Sequence, residues 1–129
     1  MQVYDMIGIG GGPAGYTAAL YAARAGLSAV VLEKLAAGGQ MAQTLQIDNY
    51  PGFDAGIDGL TLGEQMRKGA ERFGARTISA QVDAVSLDGA VKSVRAGSEE
   101  ILGRTVVIAT GATHRALGLE NESVLVGRG

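Results

Sequence analysis

Three periodicities follow one another along the chain. Residues 3–9 form an apolar run broken by Asp5 and Gly8, and Gly10-Gly11-Gly12-Pro13 follows at once. This predicts a buried strand ending in a tight turn. Pro13 suits the first turn of a helix and Gly26 its stop, so a helix near 13–25 is expected. Along it Gly15, Ala19, Ala22 and Gly26 recur at i, i+4, i+7 and i+11, a stripe of small residues that lets a helix sit close on a sheet. Residues 29–32 read as a second buried strand, ending at Glu33. Strand, glycine turn, helix and strand make a βαβ unit, whose crossover sets the two strands parallel.

The pattern then becomes irregular over 36–59, with glycine at 38, 39, 52, 56 and 59 and proline at 51. A loop of that length in a compact domain is usually functional. Helical order returns at Thr61-Leu62-Gly63-Glu64, where Thr61 has N-cap spacing to Glu64 at N3. Leu62, Met66, Ala70 and Phe73 keep one face until Gly74. The period next falls to two: residues 78–87, 90–96 and a short piece near 100–102 read as strands. Asp88-Gly89 is a strong hairpin signal between them and Gly97-Ser98 a weaker one. Residues 105–110, TVVIAT, read as another buried strand ending at Gly111. No internal repeat or low-complexity tract is present. The apolar signals from 116 onward are weak, and Val126-Gly127-Arg128-Gly129 carries no capping signal.

Composition narrows the chemistry. The 129 residues suit one domain, and 47% hydrophobic content supports a packed core. Thirteen acidic against eleven basic residues give a formal charge of −2, with no Lys/Arg cluster to draw in nucleic acid. Twenty-one glycines without a collagen-like period must serve turns and close backbone approaches. With no cysteine there is no thiol nucleophile or dithiol redox centre in this chain, and His114, its single histidine, is a poor start for a zinc site. The N-terminal residues lack a signal-peptide pattern, and Arg24 and Glu33 interrupt the most apolar region. A soluble, cytoplasmic protein without membrane or nucleic-acid partners is the expectation.

The first βαβ unit carries the chemistry. Residues 10–15 satisfy G-x-G-x-x-G after a buried strand, at the opening of a helix and ahead of an acidic strand end. Gly10 permits the tight turn, Gly12 lets backbone approach a pyrophosphate, and Gly15 allows close helix–strand packing. The unpaired N–H groups and dipole of the helix N-terminus favour the diphosphate. Glu33 can accept hydrogen bonds from ribose hydroxyls and would repel a 2′-phosphate, so FAD or NAD is preferred to NADP. A structural glycine turn beside a surface glutamate is the alternative. No G-K-[ST] follows, which excludes a nucleoside-triphosphate loop.

With GGGPAGYTAALYAARAGL at 10–27, LEK at 32–34, GGQM at 38–41, DNYPGF at 48–53 and TVVIATGA at 105–112, the chain resembles the FAD-binding part of bacterial thioredoxin reductases, in the two-dinucleotide-binding flavoprotein superfamily. The GGQ and NYPG segments distinguish this family from generic NAD-binding domains. The resemblance implies an α/β fold, a Rossmann-like doubly wound parallel sheet with a small three-stranded antiparallel β-meander. It implies an incomplete FAD-binding domain over 1–115, then a connection over 116–129 toward a second domain.

The site residues follow from the same resemblance. Glu33, with Lys34 beside it, holds the adenosine ribose, and Gly12, Pro13 and Ala14 lie along the pyrophosphate. Gly38, Gly39 and Gln40 approach the flavin side, with Thr44 and Asn49 near the ribityl and isoalloxazine groups. Val82 meets adenine through its backbone, and Ala109, Thr110 and Gly111 close over the cofactor. A buried strand ending in Thr-Gly would place free N–H groups at the carboxyl edge of a sheet, where ligands sit, although a purely structural turn also fits. Tyr16 and Tyr50 suit either flavin contact or packing. His114 belongs to a solvated connection, and Asp48, Asp54 and Asp58 have turn-capping rather than metal-loop spacing.

Three departures from the family stand out. Gly8 occupies a first-strand position where relatives carry a branched apolar residue. Thr44 is the only hydroxyl in the run after GGQM. The C-x-x-C pair, the NADPH-binding domain and the returning segment of relatives are not within these residues. The resemblance implies NADPH-to-thioredoxin disulfide reduction by a homodimeric FAD enzyme, with this chain alone unable to turn over. A stand-alone NAD- or FAD-binding module, or a non-catalytic fragment needing a partner chain, are the competing readings.

Overall fold

A computed structural model describes residues 2–125; the uncapped ending noted at 126–129 lies outside the described residues. The elements are β1 (Val3–Ile9), α1 (Pro13–Arg24), β2 (Ala29–Glu33), a 3₁₀ turn (Gly39–Gln43), α2 (Gly59–Arg72), β3 (Arg76–Ser79), β4 (Ala84–Ser86), β5 (Lys92–Ala96), β6 (Glu99–Ile108) and α3 (Glu122–Leu125). One six-stranded sheet runs in the order β3-β2-β1-β6-β5-β4. The β3, β2, β1 and β6 neighbours are parallel, and β4, β5 and the start of β6 form the antiparallel meander. The expected α/β class, parallel Rossmann-like portion and meander are all present.

The βαβ unit forms as its pattern predicts. Gly8, despite its missing side chain, sits mid-ladder, facing Val31 on one side and Val107 on the other. The helix stripe shifts by one residue: α1 buries Gly15, Tyr16, Ala19 and Ala23 rather than Ala22 and Gly26. Gly26 instead lies beyond the helix with φ +79°, a stop signal. Met6, Val31, Ala19, Ala23, Ala70 and Ala75 pack with Tyr16 between the sheet and the helices. On the opposite face Tyr4, Ile7, Ile9, Val30 and Leu32 pack with Val94 and Ile101 of the meander. Each fully buried branched side chain there stabilises the fold by about 1.5–3 kcal/mol.

Two strand assignments change. The piece near 100–102 and the run at 105–110 are one strand, β6, whose first half pairs with β5 and whose second half pairs with β1. Gly103 marks the handover: a Cβ there would lie 2.7 Å from the Ile7 side chain, so glycine lets the meander fold back over Ile7. Pairing with β5 ends at Gly103, so the rest of β6 has a strand neighbour on its β1 side only. The TVVIAT run is therefore half-open rather than buried, and Ile108 is 65% exposed. Residues 78–87, likewise, are not one strand: β3 and β4 lie at opposite edges of the sheet, and residues 80–83 cross between them.

The start of α2 also differs from expectation. The helix begins at Gly59, and its N-cap is Asp58, which accepts the Thr61 N–H at 2.8 Å. Thr61 is inside the helix, and Glu64 pairs with Arg67 at 2.7 Å instead of closing a capping box. An Asp two residues after a glycine competes better for the cap than Thr61, because its carboxylate also suits the positive helix end.

Candidate cofactor-binding site

The carboxyl ends of β1, β2 and β6 are stitched together by backbone bonds. The Gly10 N–H donates to the Leu32 carbonyl at 2.9 Å, and the Ala109 N–H donates to the Ile9 carbonyl at 2.9 Å. Gly10 has φ +105°, and a Cβ on it would lie 2.9 Å from the Ala109 carbonyl carbon, so only glycine lets the chain cross there. Gly15 does not face the open space: it packs against the Gly10 carbonyl, the close approach its motif position predicts. From this turn α1 starts at Pro13 with Gly12 as N-cap, no side-chain cap and no acidic residue in its first turn. Its positive end therefore remains available to an anion.

Above these strand ends lies a cavity of about 700 Å³. It gathers Gly10, Gly12, Pro13, Ala14, Glu33, Lys34, Gly38, Gly39, Gln40, Val82, Ala109, Thr110 and Gly111 from five separate stretches of sequence. The space is in the range that small-molecule and cofactor sites occupy. The Glu33 carboxylate accepts the Gly11 N–H through one oxygen and the Leu35 N–H, at 3.0 Å, through the other. These bonds fix the carboxylate at the mouth of the cavity, and each oxygen retains a lone pair for a hydroxyl donor. The Gly38 N–H donates to the Gly11 carbonyl at 2.8 Å, which ties the Gly38-Gly39-Gln40 loop to the glycine turn.

Besides Gly15, two candidates fall outside this group. Thr44 lines an adjoining recess of about 610 Å³ with Gln40, Gln43, Ala112, Thr113 and His114. Asn49 lies in a third depression formed by residues 48–54 and shares no lining residue with the main cavity. Of the tyrosines, Tyr16 is a core residue, 1% exposed, and Tyr50 sits half in solvent with its ring 6.1 Å from that of Phe53. His114 is exposed, as a solvated connection requires. Of the three carboxylates, Asp48 accepts from the Gln46 side chain at 3.0 Å and Asp58 caps α2. Among the described residues no group of His, Cys, Asp and Glu could hold a metal ion.

Sequence reasoning missed Gly11, Leu35, Met41 and Gln81, which also line the cavity. Gly11 carries a signal that only the fold reveals. A Cβ there would lie 2.7 Å from Glu33 Oε2, so glycine is what admits the carboxylate to the turn. Bond patterns also set the titration of two carboxyls: the Ser28 hydroxyl holds Asp5 below the usual carboxylate range, and the Thr61 side chain and N–H do the same for Asp58.

The chain matches the pyridine nucleotide-disulphide oxidoreductase family model over residues 4–129. It belongs to that family. Among curated members, the thioredoxin reductase of Mycolicibacterium smegmatis is 50% identical over 127 residues, 98% of this chain and 41% of that protein. The solved thioredoxin reductase of Streptococcus pyogenes superposes with a TM-score of 0.86 at 43% identity, covering 95% of this chain and 40% of that one. That of Gloeobacter violaceus gives 0.85 at 40% identity, covering all of this chain and 43% of its own. The chain thus spans about 40% of the length of these relatives. No helix among the described residues is long and apolar enough to cross a membrane.

Proposed function

We propose that this chain is the FAD-binding part of a thioredoxin-disulfide reductase-like flavoprotein. The observation that carries the reading is the convergence of an uncapped helix start, a fixed carboxylate and the Gly38-Gly39-Gln40 loop on one cavity. In this reading Glu33 holds the adenosine ribose through its remaining lone pairs. The α1 N-terminus at residues 12–14 receives the pyrophosphate, and the loop at 38–40 borders the flavin. Glu33 disfavours a ribose 2′-phosphate by charge repulsion, which separates FAD from NADP at this site. FAD, when bound, supplies reversible two-electron redox chemistry, and the protein's share is to bind it and exclude water around it.

The complete protein is proposed to carry reducing equivalents from NADPH to thioredoxin. This chain contains no cysteine, so the dithiol of that activity would come from outside these residues. The homodimer and the cytoplasmic setting belong to the same reading of the complete protein. The test is the visible absorbance of purified chain incubated with FAD and desalted. A retained flavin band that NAD does not compete away supports the reading. A folded but colourless protein that takes up NAD in preference to FAD would refute it in favour of an NAD-binding module.

A further inference from the structure

Two glycines of α2 lie one helical turn apart on the same face, and backbone from the cofactor loop rests on both. A Cβ on Gly59 would stand 2.7 Å from the Met41 carbonyl carbon and 3.1 Å from the Thr44 oxygen. On Gly63 it would stand 2.6 Å from the Ala37 carbonyl carbon and 2.6 Å from Gly38 Cα. Backbone cannot retreat from such a contact as a flexible side chain can, so a methyl group at either position has to move the loop. The loop is bonded at both ends of this seat. The Gly59 N–H donates to the Thr44 carbonyl at 2.9 Å, and the Gly38 N–H donates to the Gly11 carbonyl at 2.8 Å. Gly39 continues the contact inward, its notional Cβ 3.4 Å from Gly12 Cα.

We infer that Gly59 and Gly63 are positioning residues for the cofactor, setting the height of the Gly38-Gly39-Gln40 loop above the glycine turn. The inference rests on the FAD reading of the cavity. The bare face of α2 is a seat cut to backbone dimensions. It holds the loop that walls one side of the cavity while touching no part of the cavity itself, since neither glycine lines it. Glycine costs helix stability, and Gly69 on the same helix shows the contrast: nothing lies within 4 Å of a Cβ added there.

Gly69→Ala therefore serves as a within-helix control for Gly63→Ala. Both are titrated with FAD and with ADP, which reports the ribose and pyrophosphate half alone. Gly63→Ala is expected to weaken FAD by roughly tenfold or more while ADP binding stays at the wild-type level. Gly69→Ala should leave both unchanged. Amide hydrogen exchange on the ligand-free chains provides the second readout. In Gly63→Ala the Gly38 and Gly59 amides should exchange faster, with the β1 and β2 amides unaltered. To guard against loss of folding, Gly63→Ala is also made in the Gly69→Ala background, where the better helix former supports α2.

Parallel loss of FAD and ADP would mark general destabilisation and overturn the assignment, as would equal FAD affinity and equal Gly38 protection in the two variants. Should the wild-type chain take up neither ligand, the cofactor reading fails by itself. The exchange data then decide the seat alone: faster Gly38 and Gly59 exchange in Gly63→Ala upholds it, and unchanged exchange overturns it.

Discussion

Glu33 shows how one side chain can be both scaffold and binding group. Its carboxylate is clamped by the Gly11 and Leu35 N–H groups, so its position does not have to be organised when a hydroxyl arrives. Glu33→Gln replaces an acceptor pair with an amide whose NH₂ would confront a backbone donor. Titration of FAD is expected to show roughly tenfold weaker binding, in keeping with the strength of hydrogen bonds to a charged group. Undiminished affinity would remove Glu33 from the site. The acid at a strand end was legible in the sequence, but Gly11 was not: it fills a variable position of the motif, and only the spatial approach of Glu33 means that a side chain there would displace the carboxylate. Tyr16 gives a second residue-level prediction. Among the described residues its buried hydroxyl has no hydrogen-bond partner of good geometry, and burial pushes its pKa up against a weaker lowering contact from Thr77. Tyr16→Phe should leave stability unchanged or raise it by about 1 kcal/mol, because an unsatisfied group is removed. A folded-state pKa above the unfolded value means that tyrosine's contribution is kept below pH ~10 and lost as pH rises beyond it, so the variant should also resist alkaline unfolding better. Thermal melts at neutral and alkaline pH measure both effects.

At the scale of elements, local pattern was readable where neighbours in sequence are neighbours in space. The β1–α1–β2 unit came out with its boundaries because turn glycine, Pro13 and the apolar runs all act locally. β6 did not, since the change of partner at Gly103 depends on Ile7, almost a hundred residues earlier. The α2 cap was misplaced for a related reason: Thr61 has the right spacing to Glu64, yet Asp58 offers a stronger acceptor three residues sooner. Asp58→Ala is expected to lower the unfolding midpoint by roughly 3–5 °C. The carboxyl of Asp58 is held below its ordinary pKa by the Thr61 side chain first and its N–H second. A depressed folded-state pKa means the stabilisation is present above about pH 4 and is lost as pH falls through the folded value. Asp58→Asn keeps a capping oxygen without a titrating proton, so its melts should lose that part of the acid sensitivity. Identical acid profiles for the two chains would assign the sensitivity to other carboxyls, of which Asp5 is held down in the same way by Ser28.

Across the whole molecule, the helices cover one face of the sheet and the meander the other, leaving the carboxyl ends of the parallel strands open at one edge. That is where an open α/β sheet places its ligands, and it is why residues from 10 to 111 meet around one cavity. Sequence motifs identified most of this wall because each sits at a strand end or a helix start. They could not place Asn49, whose loop position says nothing about distance, and the structure sets it in a separate depression. Nor could they show that α2 underlies the loop at 38–40, a contact made by backbone against glycine with no side-chain signature. The cavity's role is tested most directly by following the backbone amide resonances of the labelled chain as FAD is added. Shifts concentrated at residues 10–14, 33–35, 38–41, 82 and 109–111, with Asn49 and the β4–β5 hairpin unmoved, are the predicted result. Shifts centred on the 48–54 loop or spread over the meander, with the glycine turn and Glu33 unmoved, would contradict it.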